Sequence, residues 1–449
     1  MRVKLMIAVL LGTGSAVAAH AWQAQPAPQP RAADPQHLSI RSLSTPRGVA
    51  HYPALSALLT SYVAEKKMPG IVAAIGEGAA ATTFASAGAI SDDAGALTAG
   101  PDSLWRIYSM TKPITGIAAM MLVEDGTMTL DQPVGDFIPA FKTMKVLTSP
   151  DTSLDSVPAA RPITIRHLLT HTAGLSYNIN AKGPLLKEYE RLGVLPASVN
   201  SALEAQMRAV RPATLQEFAN RAASLPLIAQ PGTKWSYSIG LDVMGAVIEK
   251  ASGMSFEAFL QRRMFGPLEM RSTWFTVPQG DKARLSTNYA WAGANRVPLD
   301  AAATSVYLQP PSFPYGGAGL VSSARDYDRF LHMLANGGSL DGVRVMKPAT
   351  VALAMSNLLP AGVTFGGIGG GTGGDSTAQG FGAGGSVYLK DVPGGASKGT
   401  YGWGGAAGTI AWVDPVRKLR GTVMVNYFPA DKWPLRSDVV KTLYADSRR

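Results

Sequence analysis

No cysteine occurs anywhere in the 449-residue sequence. That absence excludes disulfides, a thiolate nucleophile, cysteine-ligated metals and a lipid-modified cysteine anchor. Beyond the first residues the chain also lacks any unbroken apolar run near the ~20 residues a membrane helix needs, so no stable membrane insertion is expected. It lacks blocks of one charge. The formal charge is +10, or +8 without the cations Arg2 and Lys4. The remaining charges are scattered and not interleaved with aromatics, so nucleic acid is not an expected partner. Histidine is scarce, with six in all and none after His332.

What is present begins with an export leader. Arg2 and Lys4 precede a short apolar core, Leu5 to Leu11, and Ala19-His20-Ala21 fits a small-x-small cleavage site. Residues 1–21 read as a signal peptide, with a periplasmic or secreted product starting near Trp22. Residues 22–50, rich in Pro, Gln and Ala, read as a linker. Residues 51–449 are long enough to bury one large core without disulfides.

Within that region, Leu55, Leu58, Leu59 and Val63 predict a helix ended by Pro69-Gly70. Ile71 to Ile75 and Thr83 to Ala87 predict short strands. Residues 127–320 read as a mainly helical insertion. It includes a helix through Leu241, Met244 and Ile248, closed by Gly253. Ser323 with Asp326 resembles a capping box that opens a helix running through Leu334. Strands resume at Ser386 to Leu389, Thr409 to Val413 and Gly421 to Asn426, the last two as a hairpin about Asp414-Pro415, before a final helix over Asp438 to Tyr444. Strands at both ends with helices between point to an α+β fold. Its antiparallel sheet is built from the N- and C-terminal strands and flanked by helices.

Three short segments carry the chemistry. Ser109-Met110-Thr111-Lys112 opens an apolar helical run containing Ile114, Ile117 and Met121. Positions i and i+3 share a helix face, so Ser109 Oγ and Lys112 Nζ can meet. A desolvated lysine beside a hydroxyl is one way to activate serine without histidine. Tyr237-Ser238-Ile239 is the second segment, and Trp403-Gly404-Gly405-Ala406, just before a strand, is the third. In this order the three resemble the serine β-lactamase and penicillin-binding-protein superfamily of the class C type, and family VIII carboxylesterases most of all. Leu130-Asp131-Gln132-Pro133-Val134, Ile163 to Leu175, Phe265 to Met270 and Gly317 to Ser323 are similar to that family's scaffold. The likeness spans about residues 50–445.

The resemblance implies Ser109 as nucleophile and Lys112 and Tyr237 as its proton-transfer partners. It also implies an oxyanion hole from the backbone N–H groups of Ser109 and Ala406. A tyrosine serves as a base only where a nearby cation stabilises its phenolate, a place Lys112 would fill. Which of the two holds the proton is not set by the sequence. Trp403, Gly404, Gly405 and Ile239 would line the substrate site. Relatives that cleave β-lactams have asparagine where this chain has Ile239, and a Lys-Thr-Gly where it has Trp403-Gly404-Gly405. The lost lysine would have held a carboxylate, and Trp403 offers an apolar wall instead. Both departures favour neutral esters, with β-lactam turnover as a minor activity.

Other patterns do not carry function. Gly395-Ala396-Ser397-Lys398-Gly399 matches a nucleophile elbow, but a Gly/Pro-rich loop precedes it and no histidine follows it. His167 and His171 stand at i, i+4 without the glutamate of a zinc motif, since Leu168 sits there. Gly369-x-Gly371-x-x-Gly374 lacks a preceding strand. No cofactor or metal is expected. The expected partner is a small-molecule ester, or a β-lactam or peptide, and nothing in the sequence sets an oligomeric state. Three readings stand open. One is a carboxylesterase-type serine hydrolase. Another is a β-lactamase or D-amino-acid peptidase with the same site. The third is a non-catalytic binder of penicillin or peptidoglycan.

Overall fold

The structure, a computed structural model, describes residues 52–367 and 378–447. The expected leader and linker and the Gly369-x-Gly371-x-x-Gly374 run lie outside the described residues.

Helix α1 (Pro53–Ala64) has proline in its first turn, where a missing N–H costs nothing. Strands β1 (Gly70–Glu77) and β2 (Thr83–Gly88) follow, then, among other elements, helices α2 (Thr111–Glu124), α3 (Gly240–Ser252) and α4 (Ala324–Ala335). The chain ends with β3 (Gln379–Phe381), β4 (Ser386–Tyr388), β5 (Tyr401–Gly404), β6 (Ile410–Asp414), β7 (Leu419–Met424) and helix α5 (Leu435–Asp446). The seven strands form one sheet in the order β3-β4-β5-β6-β7-β1-β2. Every pairing is antiparallel. N-terminal β1 lies beside C-terminal β7, with Val72 opposite Met424 and Glu77 opposite Leu419. The sheet is therefore closed by the two ends of the domain, as the strand pattern implies.

Alternation along β1 explains the layers. Ile71, Ala73 and Ile75 join a core with Leu55 and Leu59 of α1 and Val439 and Leu443 of α5. Val72 and Ala74 face the other way, into the larger core with Ile114 and Ile117 of α2 and Phe330 and Leu331 of α4. A strand buried on both faces must be apolar on both, and five of its first seven residues are Ile, Val or Ala. Helix α2 is buried from Thr111 through Leu122, so it is a central element rather than an amphipathic surface helix. Gly126 follows it at φ +73°, a conformation that stops a helix and suits glycine.

Two local expectations change. Ser109 does not sit inside the α-helix but in a 3₁₀ turn, Tyr108–Met110, directly ahead of α2. Ser323 Oγ does accept the Asp326 N–H at 3.1 Å, but the Asp326 carboxylate does not reciprocate. It accepts from Ser272 N at 2.6 Å and from the Thr273 hydroxyl at 2.9 Å. A carboxylate with partners on a neighbouring segment ties two segments together, which the reciprocal cap would not.

Three residues before Ser109, Arg106 is fully buried and its Nε donates to Asp300 Oδ2 at 2.7 Å. Its other donors reach Ser286 O and Ser305 Oγ. Asp300→Ala leaves that guanidinium uncompensated, and about 3–5 kcal/mol of stability should be lost. Urea unfolding of the variant measures this. A loss below about 1 kcal/mol would show that the pair does not brace the turn that carries Ser109.

Candidate active site

The turn that carries Ser109 is held by its surroundings. Tyr108 adopts φ +41°, in a region that costs a bulky residue energy and is kept only where packing compels it. Its ring meets Phe428 edge-on at 5.6 Å, and its hydroxyl accepts from Asn288 Nδ2 at 3.0 Å. Ile107 N donates to Leu320 O, and the Tyr327 hydroxyl donates to Met110 O at 2.8 Å. From this clamped turn Ser109 faces its two partners. Tyr237 Oη lies 2.7 Å from Ser109 Oγ, and Lys112 Nζ lies 3.3 Å from it. Lys112 also donates to Gly317 O at 2.7 Å, and its Nζ sits 4.6 Å from the centre of the Tyr237 ring. Lys112 is fully buried and Tyr237 is 5 % exposed.

Aromatic rings surround Tyr237. His171 lies at 4.8 Å between centroids, Tyr177 at 5.7 Å, Trp403 at 6.0 Å and Trp235 at 6.3 Å. His171 Nδ1 accepts the Ser238 N–H at 3.2 Å, so the ring proton belongs on Nε2. Burial first, and then the charge of Lys112, hold the His171 imidazole well below its ordinary range, so it is neutral. His167 is occupied elsewhere. Its Nδ1 accepts from Thr164 N and closes a reciprocal cap on the helix Ile165–Leu169.

The third segment approaches the turn closely. A Cβ at Gly405 would fall 2.3 Å from Ile107 O and 2.2 Å from Thr409 Oγ1, so only glycine lets strand β5 end against the residues leading to Ser109. Ala406, the next residue, is exposed. Among the described residues neither the Ser109 N–H nor the Ala406 N–H donates to a protein acceptor. Arg436, in the first turn of α5, donates to Gly405 O. Trp403 is 2 % exposed and packs edge-on against Phe381 at 5.2 Å. Ile239 is fully buried, and its N–H donates to Ser176 O at 3.1 Å ahead of α3. Like that of Trp403, its side chain is buried rather than open to the surface.

The decoy Ser397 lies in the connection between β4 and β5, and its N–H donates to Asp414 Oδ2 at 3.0 Å. A cavity of about 440 Å³ is lined by Ser149, Asn180, Lys182, Lys234 and Ser236 among others, and by none of Ser109, Lys112, Tyr237 or Trp403. The hydrogen-bonded trio of Ser109, Lys112 and Tyr237 lies apart from that cavity's lining. Asn180 links the two regions by donating to Tyr237 O at 3.0 Å.

Several residues of the site lie outside the three motifs. Asp242, five positions after Tyr237, is fully buried, and its Oδ1 accepts the Gly317 N–H at 2.8 Å. Its signal was a lone acid in the apolar helical run from Ile239 to Ile248. Gly317 and Tyr177 lie in or just past stretches recognisable only as scaffold.

A profile of the β-lactamase family matches residues 55–441. The chain belongs to that family. Among its relatives, esterase EstB of Burkholderia gladioli is 32 % identical over 72 % of this chain and 78 % of its own length. Lovastatin esterase of Penicillium rubens is 30 % identical over 78 % of this chain and 86 % of its own. Among solved structures, EstCE1, a hydrolase with promiscuous acyltransferase activity, superposes with a TM-score of 0.70 at 25 % identity, covering 87 % of this chain and 98 % of that one. Within the family, these relatives mark the protein as a serine hydrolase or acyltransferase.

Proposed function

We propose that the protein hydrolyses carboxylic esters through an acyl-enzyme on Ser109. The observation that carries this reading is the trio itself: Ser109 Oγ 2.7 Å from the Tyr237 hydroxyl and 3.3 Å from Lys112 Nζ, with both partners buried. As Ser109 Oγ bonds to the ester carbonyl carbon, its proton passes to the Tyr237–Lys112 pair. The lysine's charge over the tyrosine ring stabilises negative charge on the phenol oxygen. The carbonyl oxygen becomes an oxyanion, for which the N–H groups of Ser109 and Ala406 are the available donors. The pair returns the proton to the leaving alcohol as the ester bond breaks. Water, activated by the same pair, then cleaves the acyl-enzyme.

Neutral esters are favoured because the third segment reads Trp403-Gly404-Gly405, without the lysine that would hold a substrate carboxylate. Acyl transfer to an alcohol in place of water is a second reading, favoured by the activity named for EstCE1. Hydrolysis of p-nitrophenyl butyrate beside a chromogenic cephalosporin tests the first. Fast ester turnover supports it. Rapid cephalosporin turnover with little esterase activity would move the protein to the β-lactamase reading.

Tyr237→Phe should lower kcat by about 10²–10³-fold with KM changed by less than about threefold, since the hydroxyl moves a proton rather than binding substrate. A near-normal kcat would remove Tyr237 from proton transfer.

A further inference from the structure

Asp242 is a buried acid with half its hydrogen-bonding capacity unused. Oδ1 accepts the Gly317 N–H at 2.8 Å. Oδ2 is buried and has no hydrogen-bond partner among the described residues. A buried, half-satisfied carboxylate destabilises a core, and a neutral side chain of similar shape would serve packing better. Its placement therefore calls for another explanation, and the Gly317 peptide supplies one. Gly317 meets Asp242 through its N–H, and its carbonyl accepts from Lys112 Nζ at 2.7 Å.

The path is narrow. A Cβ at Gly317 would lie 2.5 Å from Asp242 Oδ2, so the backbone rests against the carboxylate with no room for a side chain. Neighbouring Gly316 is clamped as well. Its carbonyl accepts from Thr115 Oγ1 of α2 at 2.6 Å, and a Cβ there would fall 2.4 Å from Leu241 O of α3. Helices α2 and α3 thus grip one two-glycine segment, with Lys112 on one side and Asp242 on the other.

We infer that Asp242 is a positioning residue for Lys112: by anchoring the backbone of Gly317, its carboxylate holds Lys112 Nζ against Ser109, and its charge stabilises positive charge there as the serine loses its proton. The inference rests on the trio as the reacting centre. The N–H and the carbonyl of Gly317 belong to adjoining peptide groups, so Asp242 acts by fixing where that carbonyl stands, and its charge reaches Lys112 through space in a low-dielectric interior. Asp242 is buried beyond substrate contact, so it acts on kcat and not on KM.

The titratable groups facing this pocket are Lys112 from α2, Tyr177 from the loop after the Ile165–Leu169 helix, and Tyr237 from the segment before α3. His171 beside Lys112 is neutral. Burial raises the Asp242 carboxyl from 3.8 to about 7, against the opposing pull of Lys112 and the Gly317 N–H. Asp242 then changes charge in the working pH range. A carboxyl raised in the folded state costs stability as pH rises from 3.8 to about 7, because the unfolded chain ionises first. Asp242→Asn keeps the shape and the Gly317 bond while removing both the charge and that cost.

The test measures kcat and KM for p-nitrophenyl butyrate from pH 5 to 9, and thermal melting at each pH, on the full chain as wild type, Asp242→Asn and Ser109→Ala. The expected result is a kcat lowered about 10- to 100-fold in Asp242→Asn with KM within about twofold. The wild-type rise in kcat through about pH 7 should be absent from the variant, and its Tm should be no lower than wild type. Wild-type kcat and pH profile in Asp242→Asn, with Ser109→Ala inactive, would overturn this inference and leave the active-site reading standing. Loss of activity only together with a lowered Tm, with the pH profile unchanged, would reduce Asp242 to a structural residue and overturn it as well. An active Ser109→Ala would remove the reading on which it rests.

Discussion

Ser109→Ala is expected to lower kcat for ester hydrolysis by about 10⁵-fold or more while the protein stays folded. The expectation follows from how little else the hydroxyl does. Ser109 lies in a turn held by Tyr108, Ile107 and Met110 through their own contacts. Among the described residues its Oγ bonds only to the Tyr237 hydroxyl and Lys112 Nζ, the two groups that would move its proton. Removing the oxygen removes the nucleophile and leaves the frame. Residual rate would come from water attacking an ester held in the site. Progress curves with p-nitrophenyl butyrate and circular dichroism measure the two halves of the claim. Activity within tenfold of wild type would place the chemistry elsewhere.

Lys112→Met should lower kcat by about 10³–10⁴-fold, again with little change in KM. Methionine keeps the length and apolar stem of the side chain but carries no charge and no donor. Three things are lost together: the donor to Ser109 Oγ, the donor to Gly317 O and the cation over the Tyr237 ring. The stability effect has two opposing parts. Gly317 O loses its partner, at a cost of about 1–3 kcal/mol for a buried acceptor. A buried ammonium is also removed, which relieves a desolvation penalty. The rate effect should therefore exceed anything explained by unfolding, and thermal melting run beside the kinetics separates the two. A variant with wild-type Tm and kcat within tenfold of wild type would remove Lys112 from the reaction.

Much of the fold could be read from local pattern. The apolar run of β1 and the turn at Asp414-Pro415 are dictated by neighbours in sequence. Asp414 Oδ1 accepts from Val416 N and Arg417 N, which is the local side-chain turn its position calls for. The Ser109–Lys112 spacing could likewise be read, because i and i+3 meet whatever surrounds them. What could not be read depends on segments far apart in the chain. Ser109 sits in a 3₁₀ turn because Leu320, Tyr327 and Asn288 hold the residues around it. Asp326 abandons its expected cap because Ser272 and Thr273 arrive beside it. Asp242 looks like one acid in an apolar helix until the Gly316-Gly317 segment is laid against it. A residue whose role is to act on another residue leaves a weak mark in the sequence, because nothing local requires it.

The most direct test of the account is covalent. The protein would be treated with a fluorophosphonate, digested, and the modified peptide identified by mass spectrometry, with ester hydrolysis followed in parallel. The account predicts a single adduct on Ser109 and loss of activity in proportion to labelling. An adduct on Ser397, or full labelling of Ser109 with ester hydrolysis undiminished, would contradict it.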